Sequence, residues 1–189
     1  FTTIGLANSD VVTSATITSM GLDATAAVGP YDILISNAVG TGLSNYEITY
    51  TKKTLSVDKK ALLITADDQS KEYGAALPTL TVSYTGLVNS DTAPASLATI
   101  STSGLETSAV GNYVITASEA VDTNYNITYT SGILTIDAID ASVTPILSSK
   151  NCGDEDPVFT GTLNGFLAAD NVTATYSRAI GETIAGSPY

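Results

Sequence analysis

The sequence has no histidine, no tryptophan, one cysteine and one methionine, and only 7 of its 189 residues are basic. Without histidine, and with Cys152 alone, several chemistries cannot be assembled within the chain. A Ser-His-Asp or Cys-His triad, a His-ligated zinc, a CxxC redox pair and an internal disulfide are all excluded. Nineteen acidic residues against seven basic ones give a formal net charge of −12. That balance argues against nucleic-acid backbones and anionic membrane faces as partners. Charged residues make up 14%, well below the ~25% of an ordinary globular domain. No apolar run approaches the ~18–20 residues that a span requires, so no membrane insertion is expected. No basic segment followed by an apolar one marks a leader at Phe1. What remains is a chain rich in Thr, Ser, Ala and Asn with 43% apolar residues, enough to build cores.

The most informative positive feature is self-similarity. Gly5-Leu6-Ala7-Asn8-Ser9-Asp10 returns as Gly86-Leu87-Val88-Asn89-Ser90-Asp91 and, more loosely, as Gly165-Phe166-Leu167-Ala168-Ala169-Asp170. Val28-Gly29-Pro30-Tyr31-Asp32-Ile33 returns as Val110-Gly111-Asn112-Tyr113-Val114-Ile115, and residues 186–189 begin a third copy. Asn45-Tyr46-Glu47-Ile48-Thr49-Tyr50 pairs with Asn124-Tyr125-Asn126-Ile127-Thr128-Tyr129, and Leu55-Ser56-Val57-Asp58 with Leu134-Thr135-Ile136-Asp137. Lys71-Glu72-Tyr73-Gly74 and Pro78 pair with Lys150-Asn151-Cys152-Gly153 and Pro157. Solenoid repeats run at ~20–50 residues and need their neighbours. A period near 80 lets each repeat own a small core. The expected organisation is residues 1–58 as the C-terminal part of one repeat, 59–137 as a complete repeat, and 138–189 as the N-terminal part of a third. This phase predicts a parent chain extending in both directions.

Within a repeat the pattern is that of strands. Residues 61–66 form a short apolar run ending in Asp67-Asp68, a turn signal. Residues 80–84 and 125–129 alternate apolar and polar with period two. Residues 97–101, 113–117 and 133–136 read as further strands around Gly104, Gly111 and Gly132. Asn89-Ser90-Asp91 predicts either an Asx turn or the cap of one helical turn through residues 93–97. No segment of ten residues has a 3.6 period, and Thr, Val and Ile favour sheet. The expected class is all-β, with at most one short helix per repeat, in β-grasp-like or sandwich-like modules. The short links between repeats, without Gly/Ser runs, predict a semi-rigid, elongated array.

The order of these motifs is an apolar strand, Lys-x-Tyr-Gly-x-x-x-Pro, Gly-Leu-x-x-x-Asp, Val-Gly-x-Tyr-x-Ile, Asn-Tyr-x-Ile-Thr-Tyr and Leu-Thr-Ile. It resembles the MBG-type repeat, a β-rich module of very large bacterial surface proteins and adhesins. Residues 177–182 of the third copy resemble the family's middle segment. The resemblance implies an extracellular, cell-surface, structural or adhesive segment of a secreted protein, with gliding or film-forming adhesins of Bacteroidota among the contexts. Its implied partners are neighbouring repeats of the same chain. The alternative is a module that binds surface glycans or mucin by multivalency.

Each candidate site has a plainer reading. Asp91, with its counterparts Asp10 and Asp170, could ligate calcium; a turn residue accepting local N–H bonds is the plainer choice, since no Asp-x-Asp-x-Asp-Gly loop is present. Asp154 and Asp156 flank Glu155 in the densest acidic cluster and are also candidate calcium ligands; a solvated loop is favoured. No pair of carboxylates is marked for glycoside hydrolysis, so no catalytic residue and no resident cofactor are expected. The recurring tyrosines fit a half-buried role with the hydroxyl reaching out, which leaves Tyr84 as the best exposed sugar-stacking candidate. Asp91-Thr92-Ala93 resembles a short O-glycosylation acceptor centred on Thr92. Cys152, in the place of Tyr73, is expected to be buried or half-buried as a small hydrophobe.

Overall fold

The structure is a computed structural model and describes residues 1–179. The third Gly-x-x-Tyr copy at 186–189 and Gly181-Glu182 lie outside these residues. Twelve strands and three single-turn 3-10 segments are found among the described residues, with no α-helix. The all-β class therefore holds. No described helix is long and apolar enough to cross a membrane, a statement that does not touch β-barrels.

The chain divides into two compact units, each discontinuous in sequence. The first comprises 1–67, 80–101 and 115–132; the second comprises 68–79, 102–114 and 133–189. In the first unit, β1 (Val11–Thr18), β2 (Gly29–Thr41) and β3 (Lys53–Val57) form an antiparallel sheet in that order. The β1–β2 register slips between Val12 and Thr16. Asn37, at φ 50, takes up the irregularity on β2, a bulge position where a left-handed residue re-aims the strand. The same unit holds β4 (Lys60–Ala66), flanked by β6 (Val82–Thr85) and β9 (Tyr125–Thr130). β4 runs antiparallel to β6 and parallel to β9.

A further sheet has the order β5 (Gln69–Glu72), β10 (Gly132–Asp137), β8 (Gly111–Ser118) and β7 (Thr99–Thr102). β5 and β10 are parallel. β11 (Ser142–Pro145) and β12 (Gly161–Asn164) make an antiparallel pair in the second unit.

Alternation explains the burial. On β4, Leu62, Ile64 and Ala66 are 2% exposed or less, while Ala61, Leu63 and Thr65 between them are not fully buried. Ile115 and Ala117 on β8 and Leu134 and Ile136 on β10 repeat the pattern. Among the described residues, every buried one lies between Leu62 and Ile136, and none is found in 1–58 or in 138–179. A strand turns one face to a core, and these strands combine an alternating sequence with a hydrogen-bonded partner.

Of the two alternatives offered at Asn89-Ser90-Asp91, the turn forms and the helical turn does not. Residues 93–97 are not helical: Ala95 N–H donates to the Asp122 carboxylate and Ser96 bridges Val121, which draws the backbone into an extended path. Gln69–Glu72, wholly polar and unmarked by alternation, is a strand because β10 supplies its hydrogen bonds. Asp67 and Asp68 do more than end β4. Asp67 accepts the hydroxyls of Thr81 and Ser83, and Asp68 accepts the Ile133 N–H at 2.7 Å.

Candidate functional site

The recurring tyrosines and aspartates form one repeated set of hydrogen bonds. In the loop before β1, Asp10 N–H closes a turn on the Ala7 carbonyl at 2.8 Å; before residue 92, Asp91 N–H does the same on Val88 at 3.0 Å. Asn8, Ser9, Asn89 and Ser90 all have φ between 52° and 67°. Asn tolerates this left-handed region, and Ser there is held by the closed turn. Ala168 and Ala169 stand at those positions in the third copy, and the loop folds instead as a 3-10 turn, Ala168–Asp170. Its closure, Asp170 N–H to Leu167 at 3.1 Å, is unchanged. Alanine disfavours the left-handed conformation, so substitution changes the turn type while keeping its ends together.

Each of these aspartates then receives a phenol. The Tyr46 hydroxyl accepts from Ala7 N–H at 2.8 Å and donates to Asp10 Oδ2 at 2.9 Å. The Tyr125 hydroxyl accepts from Val88 N–H at 2.9 Å and donates to Asp91 Oδ2 at 2.6 Å. Tyr125 is 2% exposed, and the bond to Asp91 is the chief cause of its raised phenol pKa. A carboxylate that accepts from the neutral phenol penalises its ionisation. The third aspartate takes a different donor: Tyr73 donates to Asp170 Oδ1 at 2.6 Å, which likewise raises the Tyr73 pKa.

Two more tyrosine positions repeat. Tyr50 accepts from Ala38 N–H at 2.9 Å and Tyr129 from Ala120 N–H at 2.8 Å. In both copies a left-handed residue, Asn37 or Glu119, turns that N–H outward. Tyr31 donates to the Ala27 carbonyl at 2.8 Å and Tyr113 to Ala109 at 2.9 Å. Lysine repeats as well. Lys71 Nζ donates to the carbonyls of Ala75 and Glu106, and Lys150 Nζ to that of Asp154. Lys71 is only 8% exposed, and two carbonyl acceptors offset part of its desolvation. The intervening glycines, Gly74 and Gly153, sit at φ 77° and 90°, which favours glycine in the Tyr-Gly turn.

The sequence-predicted site residues fall into this frame unevenly. Asp91 is the Tyr125 acceptor described above. Thr92 follows it on an exposed loop. Asp156 is gripped by Arg178 through both oxygens, at 2.8 and 2.9 Å, and by Lys150 at 2.8 Å. Its carboxyl is held below the ordinary value, first by Arg178 and then by Lys150. Asp154 contributes its backbone carbonyl to Lys150. Among the described residues, no three His, Cys, Asp or Glu side chains gather where they could hold a metal ion. Tyr84 is half-buried on β6, opposite Ile64. More exposed rings belong to Tyr50 and Tyr129, at 43% and 39%. Cys152, expected to be buried or half-buried, is exposed on a loop whose neighbours from 151 to 156 are exposed as well. The Tyr73–Asp170 pairing was not legible, since it joins one repeat's Tyr-Gly turn to the next repeat's aspartate.

An open depression of about 650 Å³ lies on the first unit, lined by Met20, Pro30, Tyr31, Leu34 and Thr54 among others. Asp32 is its one carboxylate and is ion-paired with Lys52 at 2.7 Å. The carboxyls with displaced ionisation among the described residues, Asp23, Asp67 and Asp156, are all pushed down. A general acid needs the opposite displacement.

The MBG domain of the YGX type matches residues 1–56 and 62–135. The chain belongs to this family. The two matched stretches of the MBG chain fall on the two copies that share the Asp–Tyr bonds, and the Tyr-Gly pair of the second is Tyr73-Gly74. No curated protein and no solved structure matches the chain.

Proposed function

We propose that this MBG chain is a structural segment of a large secreted bacterial surface protein, one that extends and spaces adhesive regions outside the cell. The observation that carries the reading is the use made of the recurring side chains. The tyrosines and aspartates that a ligand site would need at each repeat are bonded to their own backbone loops, in the same way in successive copies. The net charge of −12 adds mutual repulsion between repeats and favours extension. On this reading the repeats partner one another in an elongated array, and affinity arises elsewhere in the parent protein or from many copies. No bond-breaking step is assigned to the chain.

One observation favours a second reading. Tyr50 and Tyr129 present half-open rings at the same position of successive copies, a spacing that a repetitive glycan or mucin could meet by stacking. The discriminating experiment is binding of a protein with at least two complete repeats to a glycan and mucin panel, with and without calcium. The spacer reading expects no saturable binding. Saturable binding lost on Tyr129→Ala or Tyr84→Ala would replace it with the receptor reading. Calcium dependence lost on Asp91→Asn or Asp154→Asn would assign the metal. Protease shaving of intact cells expects release of these repeats; their retention in the cytosol would overturn the surface placement.

A further inference from the structure

We infer that the tyrosine of the Lys-x-Tyr-Gly turn is a latch for the next copy of the module, and that its strike is the carboxylate of the next copy's repeat aspartate. Tyr73 belongs to the central repeat, and Asp170 to the Gly-Phe-x-x-x-Asp loop of the following one, 97 residues on. Both lie in the same compact unit. The 2.6 Å bond from Tyr73 to Asp170 engages one carboxylate oxygen, as do the bonds made inside a repeat, Tyr46 to Asp10 and Tyr125 to Asp91. One carboxylate has room for both donors, because its two oxygens offer about four lone-pair sites. In a complete array the aspartate can therefore close its own repeat and accept the preceding one at the same time.

The surroundings fit a docking contact. Gly74, at φ 77°, lets the turn approach Leu167, where a Cβ would collide with a Leu167 methyl. Glycine at this place therefore serves the approach as well as the turn. The third copy carries Cys152 where the latch needs a phenol. A thiol lacks the length of a phenol and is a weak donor, so that copy cannot latch onto a neighbour in this way. The module array then has two kinds of joint, set by one residue.

The test uses the whole chain and hydrogen exchange read by mass spectrometry. Tyr73→Phe removes only the hydroxyl. It is expected to raise exchange across residues 161–171 roughly tenfold, as loss of a charge-assisted bond does in a locally opening segment, while Tyr125–Thr130 stays unchanged. Asp170→Ala should give the same pattern, and the double variant should add nothing to either single change. Unchanged exchange at 161–171 in Tyr73→Phe, or additive effects in the double variant, overturns the latch. A second readout separates it from general loosening. With ¹³C-labelled tyrosine, the Tyr73 phenol should titrate above the ordinary value and return to it in Asp170→Ala; a titration indifferent to Asp170 overturns the proposal.

Discussion

Residues 46–51 and Tyr125–Thr130 differ at one position of six, Glu47 against Asn126, yet only the second stretch is a strand. Glu and Asn are both poor strand formers, so propensity does not account for the difference. The partner does. Lys60–Thr65 of β4 lies in parallel register along Tyr125–Thr130, and no strand pairs with 46–51. Side-chain burial follows the same division: Tyr125 is 2% exposed where Tyr46 is half-buried, and Ile127 is half-buried where Ile48 is 40% exposed. The two copies agree in what each makes locally, the Asp-turn and its tyrosine, and part where a distant strand must supply backbone bonds. Strand state here is a property of a pair.

The largest expected effect comes from removing that partner. Leu63 sits in the middle of β4, between Thr85 and Thr128, and proline there deletes a ladder donor in a central strand. Leu63→Pro should bring amide exchange at 125–130 up to that of 46–51. Protection that survives at 125–130 would break the comparison. The equivalent leucines give the next largest effect. Leu134 is fully buried, and Leu134→Ala should cost about 2–5 kcal/mol. Its counterpart Leu55 is half-buried, and Leu55→Ala should cost well under half as much in urea titrations. Equal losses would mean that the first copy is as well covered as the second.

A smaller change concerns the turns. Asn89→Ala forces alanine into the left-handed region, at about 1–2 kcal/mol, or converts the turn to the 3-10 form of the third copy. Asn89→Gly should be almost neutral in thermal melts. A neutral Asn89→Ala without change of the Val88–Asp91 closure would show that the turn type does not depend on these residues. The smallest effect is in acid. Asp67 is held below its ordinary value of 3.8, first by Ser83 and then by Thr81. Its contribution is complete above the unfolded value and is lost as pH falls through the lower folded one. Asp67→Asn should flatten that acid limb in pH-dependent melts; an unaltered limb would assign it to other carboxyls. Tyr125 runs the other way, its contribution complete below the ordinary phenol value of 10.0 and lost as pH rises through the raised folded one.

Much of the frame was legible before any coordinates. Alternation located β6 and β9, a short apolar run located β4, and runs set between glycines located β7, β8 and β10. These signals missed Gln69–Glu72, whose side chains carry no pattern and whose place is fixed by β10. The Asp-turns were legible as turns, since Gly-Leu-x-Asn-Ser-Asp is a local signal. The alternative of a helical turn at 93–97 is not taken up, because Asp122 and Val121 engage that backbone from a distant strand end. For the candidate site, the repeated tyrosines stood out, but Tyr84 was a poor guide to exposure, which depends on what lies across the sheet.

The sequence by itself determined the period near 80 residues, the all-β class, the places of the turns and the membership in the MBG family. Those follow from short-range pattern and backbone preference, which act within a few residues. Only the tertiary structure decided which of two near-identical hexapeptides became a strand and which tyrosine each aspartate received. Those outcomes depend on partners 34 to 97 residues away, and a hydrogen bond has no direction or strength until folding brings its acceptor to within about 3 Å.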